Sequence, residues 1–137
     1  MDHPHLKYQR LIDFCKALPP TSVAVAHPCD EASLTGAMDA ARAGLIAPLL
    51  VGPRDRIEAT ARRFGIDISG VPVIDVPHSH AAAERAVELV REGSAEALMK
   101  GSLHTDELMG AVVRRESGLR TSRRVSHCFV MDVPSYS

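Results

Sequence analysis

Ser22-Val23-Ala24-Val25-Ala26-His27 carries four consecutive apolar residues between polar ends, without the alternation of a half-exposed strand. A strand of this kind is covered on both faces, which predicts helices on either side of it. Toward the C-terminus, Asp30 stands where it can cap a helix whose Leu34, Ala37, Met38, Ala41 and Leu45 recur at helical spacing, with Gly44 near its end. Ala47 to Val51 reads as a second apolar strand. Gly52-Pro53 then puts proline where a helix begins, and Ile57, Ala61 and Phe64 lead to a stop at Gly65. Val71 to Val76 predicts a third strand, His78 to Glu92 a helix ended by Gly93, and Ala97 to Lys100 a fourth strand. Thr105 to Glu116 predicts a further helix closed by Gly118, and His127 to Val133 a fifth strand, followed by Pro134. On the N-terminal side, Leu11, Ile12, Cys15 and Leu18 mark one face of a helix over Tyr8 to Leu18, stopped by Pro19-Pro20.

Strands alternating with helices imply right-handed crossovers and a mostly parallel sheet with helices on both faces, an α/β fold. At 137 residues the chain has the length of one domain, and no internal repeat or linker divides it. Hydrophobic residues make up 45% and charged residues 24%, the balance of an ordinary soluble domain rather than a disordered or membrane chain. A formal net charge of -1 gives no overall field toward nucleic acid or an anionic membrane, so any anion site is local. The longest apolar runs, such as Leu45 to Val51, fall far short of the roughly 20 residues that cross a bilayer, and Met1 to Arg10 lacks a signal-peptide core, so a cytoplasmic location is expected. Cys15, Cys29 and Cys128 are widely spaced and in no CxxC pair, which predicts reduced thiols.

In open α/β sheets ligands bind outside the carboxyl ends of the strands. The most informative segment predicted to reach that edge is Lys100-Gly101-Ser102-Leu103-His104-Thr105, because a cation follows the apolar Ala97-Leu98-Met99. Gly101 allows close backbone approach, Ser102 and Thr105 bring hydroxyls, and the helix that follows offers unpaired N–H groups and its positive dipole end. These suit a phosphate. The same residues also suit a solvated lysine, a turn and a helix cap, and Asp106 and Glu107 already complement the dipole. The loop matches neither GxxxxGK[ST] nor GxGxxG, so no NTPase or dinucleotide fingerprint is present. Arg114, Arg115, Arg120, Arg123 and Arg124 form a basic stretch that suits CoA phosphates or, as a lesser reading, RNA, or else a solvated surface. No aromatics interleave with these arginines as a base-stacking platform requires.

Other combinations fail on geometry. Ser126 and His127 are neighbours on a predicted strand and point to opposite faces, so they form no nucleophile–base dyad. His78 and His80 could share a face, but no carboxylate or cysteine cluster lies near them in sequence to complete a site, and no metal is expected. Cys29 precedes a helix N-terminus, a position that lowers a thiol's pKa, and is also the size of thiol that packs in a core.

Together, Ala97-Leu98-Met99-Lys100-Gly101-Ser102-Leu103-His104-Thr105 and the run from Gly118-Leu119-Arg120-Thr121-Ser122-Arg123-Arg124 through Ser126-His127 to Pro134 resemble the phosphate acetyltransferase and phosphate butyryltransferase family. Val23 to His27 and Ala47 to Pro53 are similar to the family's opening strands, so the resemblance covers nearly the whole chain. It implies a three-layer α/β/α fold like that of isocitrate and isopropylmalate dehydrogenases. The implied activity is reversible acyl transfer between CoA and phosphate, with coenzyme A as a substrate and no other cofactor, commonly in a homo-oligomer. It further implies that residues 1–137 are the N-terminal portion of a longer acyltransferase domain, as can follow an enoyl-CoA hydratase domain in the bifunctional branch, and that the incomplete chain has little or no activity. On this basis Lys100, Gly101, Ser102 and Thr105, with Ser126 and His127 nearby, are expected on the phosphate side of the cleft. Arg120, Arg123 and Arg124 are candidates for CoA phosphates, while the catalytic serine, arginine and aspartate of the family match no residue here. Leu108-Met109-Gly110 stands where acetyl-type members tend to carry an arginine, a departure that sets the acetyl-type phosphate contact apart. The alternative is a noncatalytic module that binds CoA or a phosphorylated metabolite.

Overall fold

The computed structural model describes residues 6–133, 135 and 136. Its elements are α1 (Leu6–Lys16), β1 (Thr21–Ala26), α2 (Glu31–Arg42), β2 (Ile46–Gly52), α3 (Arg54–Phe64), β3 (Val73–Asp75), α4 (Ser79–Arg91), β4 (Ala97–Lys100) and α5 (Thr105–Val112). The four strands form one parallel sheet in the order β3-β2-β1-β4.

The apolar run of β1 is covered on both sides. Ala24 and Ala26 face a core built with Ala82, Ala83, Ala86 and Val87 of α4 and Leu108 and Ala111 of α5. Val23 and Val25 face the opposite way, onto Leu34, Ala37 and Met38 of α2 and Ile57 and Ala61 of α3. Three layers result, and neither face of this strand can tolerate a polar residue. Local signals in the sequence set the helix ends. Asp30 accepts from the Ser33 amide at 2.9 Å, Pro53 occupies the cap position of α3 with φ -61°, and Gly65 closes that helix with φ 64°.

The order of the strands determines where a site can be. From β1 the chain steps through β2 to β3 by way of α2 and α3, then α4 carries it back across the other face and lands β4 on the far side of β1. The carboxyl ends of β1 and β4 therefore flank a topological switch point, where the two connections leave in opposite directions and open a crevice.

Two expectations change. His127 to Val133 forms no strand: it is irregular and mostly exposed, with Phe129, Val130 and Met131 at 74%, 84% and 76% of full exposure. An apolar strand needs a pairing neighbour and a cover on each face, and among the described residues nothing covers this segment; Pro134 lies outside them. Helix α5 stops at Val112 rather than Glu116, because the chain folds back so that the Leu119 amide donates to the Val112 carbonyl at 2.7 Å. The turn requires Gly118, where a Cβ would stand 2.5 Å from two backbone oxygens. Helix α1 forms close to its expected span, yet none of its residues is buried, so its apolar face has no partner among the described residues.

Candidate functional site at the β1–β4 switch point

Parallel pairing sets Ala26 opposite Lys100, and the ladder continues past both strand ends. The Gly101 amide donates to the Ala26 carbonyl at 2.8 Å, and the Ser102 amide to the His27 carbonyl at 2.8 Å. Such proximity requires glycine: a Cβ on Gly101 would lie 2.3 Å from the Ala26 oxygen and 2.5 Å from the His27 oxygen. The Ser102 hydroxyl locks the two loops together, donating to the His27 carbonyl at 2.8 Å and accepting from the Cys29 amide at 3.1 Å.

His27 is the centre of this junction. It is 3% exposed, the one buried polar side chain among the described residues, and its backbone sits in the left-handed region at φ 58°. A non-glycine residue there costs about 1 kcal/mol or more and persists where the surroundings impose it, commonly at functional sites. Its Nδ1 lies 3.1 Å from the Ser102 carbonyl. Because a carbonyl only accepts, Nδ1 carries the hydrogen, and in the neutral ring that leaves Nε2 as the acceptor. That lone pair faces Arg56 Nη1 of α3 at 3.5 Å, the outer limit of a hydrogen bond.

A cleft of about 450 Å³ opens here, lined by His27, Asp30, Arg56, Ser79, Ser102, Leu103, His104 and Glu107. Lys100 stands exposed at the end of β4, with Nζ donating to the Gly101 carbonyl at 3.3 Å. Thr105 is the exposed first residue of α5, and His104 takes the cap position without a side-chain cap bond. Glu107 accepts from the Ser79 hydroxyl at 2.8 Å, so one carboxylate on the cleft wall is already held by α4. Lys100, Gly101, Ser102 and Thr105 stand at one strand–helix junction, and of the four Ser102 lines the cleft. The fold does not bring Ser126 and His127 to the cleft lining: both are exposed in the irregular segment, where the His127 ring packs on Phe129 at 4.2 Å. Arg120, Arg123 and Arg124 are exposed in the same stretch. A second hollow of about 380 Å³ lies between α4 and the turn at 114–117, but its cations are engaged, Arg114 with Glu84 and Arg91 with the Glu116 carbonyl. His78 caps α4 by accepting from the Ala81 amide, and His80 pairs with Glu84. Both histidines thus have local structural roles.

Two groups beside the cleft have shifted titration. The Asp30 carboxyl is held below its ordinary value, chiefly by hydrogen bonds from the Ser33 hydroxyl and amide, with a smaller attraction from Lys100. A depressed carboxylate contributes stability above its unfolded pKa and loses it as pH falls through the folded value, so the cap of α2 weakens only in acid below the ordinary aspartate range. Asp30→Ala is expected to cost about 1 kcal/mol in urea unfolding at pH 7. Asp30→Asn should keep most of the cap and lose the acid dependence. Cys29 is shifted the other way: burial raises its thiol pKa, opposed in part by Arg56. It is therefore a poor nucleophile, and alkylation followed by mass spectrometry should modify the exposed Cys128 well before Cys29.

Over 131 residues, covering 96% of this chain, it is 56% identical to the phosphate acetyltransferase of Rhizobium meliloti. The chain belongs, by sequence, to the phosphate acetyltransferase and butyryltransferase family. The phosphate acetyltransferase of Rickettsia felis is 51% identical over 85% of the chain, and the phosphate butyryltransferase of Clostridium acetobutylicum 36% over 83%. The chain spans 42%, 34% and 38% of these relatives' lengths. Among solved structures, the EutD phosphotransacetylase from Staphylococcus aureus matches 72% of the chain and 39% of its own at a TM-score of 0.59 and 17% identity, a likeness of fold. No protein-family model matches the chain.

The sequence does not single out His27 or Arg56 as site residues. Both carried a signal: His27 ends a buried strand with a polar residue, as Lys100 does, and Arg56 lies in the first turn of a helix that leaves the same sheet edge.

Proposed function

We propose that this chain forms one wall of the cleft of a phosphate acyltransferase, which passes an acyl group between CoA and inorganic phosphate and yields acyl phosphate and free CoA. The observation that carries the reading is the position of the Lys100–Thr105 junction at the switch point of the sheet, in a chain whose relatives bear that name. Lys100 supplies charge at the mouth, Arg56 offers a fork of donors, and Thr105 with the first amides of α5 faces the same edge. Gly101 and Ser102 serve by fixing the wall, since their amides and the Ser102 hydroxyl are spent on β1. Ser126 and His127 reach this cleft only if the segment around them repacks, and Arg120, Arg123 and Arg124 remain the candidates for CoA phosphates.

On this reading residues 1–137 are the first portion of a longer acyltransferase domain, and the groups that deprotonate the CoA thiol and hold the developing oxyanion stand on an opposite wall. CoA is a substrate, no other cofactor takes part, and the protein acts in the cytoplasm as a homo-oligomer without nucleic acid. Among the described residues no helix is long and apolar enough to cross a membrane. The test is an acyl-phosphate or arsenolysis assay on the longest natural reading frame, with CoA-dependent turnover expected there and little or none from the 137-residue chain. Absence of CoA-dependent transfer in the longer protein sinks the reading.

A further inference from the structure

We propose that His27 and Arg56 form a proton-linked anion clamp, in which an anion entering the switch-point cleft takes over the Arg56 donors and draws a proton from solvent onto His27 Nε2. The inference rests on the reading of this cleft as an anion site and adds how protons regulate it.

Three observations carry the clamp. His27 is the one buried polar side chain among the described residues, and it lines the cleft. Its Nδ1 is committed to Ser102, which leaves Nε2 as a bare acceptor directed at Arg56, 3.5 Å away. Its backbone is held at φ 58° by three donors on its own carbonyl, from Cys29 and twice from Ser102, so the ring cannot be relocated by a simple backbone shift. A buried base aimed at an arginine is matched to two states. In the empty cleft the neutral imidazole accepts from the guanidinium; a second cation at that distance would repel it. An anion seated between the two reverses the preference, because the guanidinium and the imidazole then both point at negative charge and protonation of Nε2 adds a charge-assisted hydrogen bond.

The groups around His27 set the background. Arg56 comes from α3, Cys29 and Asp30 from the β1–α2 junction, and His104 and Glu107 from the β4–α5 side, with Lys100 exposed at the end of β4. Of these His104 is the other imidazole, and it is exposed. Linkage then fixes the sign. If the anion favours protonated His27, lowering the pH raises anion affinity by the same factor.

Sulfate is the probe, because it stays dianionic across the range and any pH dependence belongs to the protein. Calorimetry on the chain is expected to show sulfate affinity rising about tenfold from pH 8 to pH 5.5, the scale of one charge-assisted hydrogen bond. Proton uptake should appear as a heat that depends on the buffer's ionisation enthalpy. His27→Asn tolerates the left-handed backbone and cannot titrate, so the slope should vanish while Arg56-dependent binding remains. Without any substitution, imidazole nitrogen spectra of the sulfate-free chain at pH 8 should show hydrogen on Nδ1 and none on Nε2. Binding that needs Arg56 but is independent of pH, a slope that survives in His27→Asn, or a hydrogen on Nε2 overturns the clamp and leaves the anion site standing. No sulfate binding at any pH removes both.

Discussion

Gly101→Ala is expected to destabilise the chain by about 3 kcal/mol, the upper part of the usual range for forcing atoms into a packed interior. The obstacles are the Ala26 and His27 carbonyl oxygens, at 2.3 and 2.5 Å from the new Cβ, and the His27 carbonyl and its peptide bond cannot rotate away as a side chain would. Relief requires β4 to separate from β1 at the carboxyl end, which breaks the Gly101–Ala26 and Ser102–His27 bonds together. Urea unfolding checks this, and Gly110→Ala in α5 is the control. Nothing lies within 4 Å of a Cβ at Gly110, so there alanine should stabilise the helix by up to about 1 kcal/mol. Opposite signs at two glycines nine positions apart follow from close packing at one and helix propensity in open space at the other. Equal midpoints for Gly101→Ala and the parent would show that the close approach does not exist in solution.

The second large effect is kinetic and belongs to the longer reading frame. Arg56→Ala should lower kcat/KM for phosphate by about 10- to 100-fold, the loss of one or two charge-assisted hydrogen bonds. Stability should change by less than about 0.5 kcal/mol, because the side chain is exposed and its contact to His27 is a weak one. Arg56→Lys should recover part of the loss, since an ammonium keeps the charge but not the fork. Unchanged kinetics in Arg56→Ala would remove α3 from the site.

The fold was legible where local physics and long-range packing ask for the same residues. Val23 to Ala26 had to be buried on both sides, Asp30 could serve only as a cap once Leu34 and Ala37 were placed on one face, and Gly65 could only close a helix. The order of the strands was not legible, because each βαβ unit looks the same whichever side of β1 receives β4. For that reason the pairing of His27 with Ser102, 75 positions apart, could not be read, and Lys100 drew attention that belonged equally to His27. His127 to Val133 shows the converse: an apolar run records what a segment would bury, and becomes a strand only where layers exist to bury it. The same reasoning applies to α1, whose amphipathic face formed and found nothing to cover it among the described residues.

The central claim is that the switch point between β1 and β4, rather than the arginine stretch, receives phosphate. Amide chemical-shift mapping of the isotopically labelled chain during a titration with inorganic phosphate tests it most directly. Saturable shifts are expected at residues 27–30, 54–57 and 101–107, and they should be lost in Arg56→Ala. Shifts confined to residues 114–124, or none at all at phosphate concentrations that saturate the longer enzyme, would contradict it.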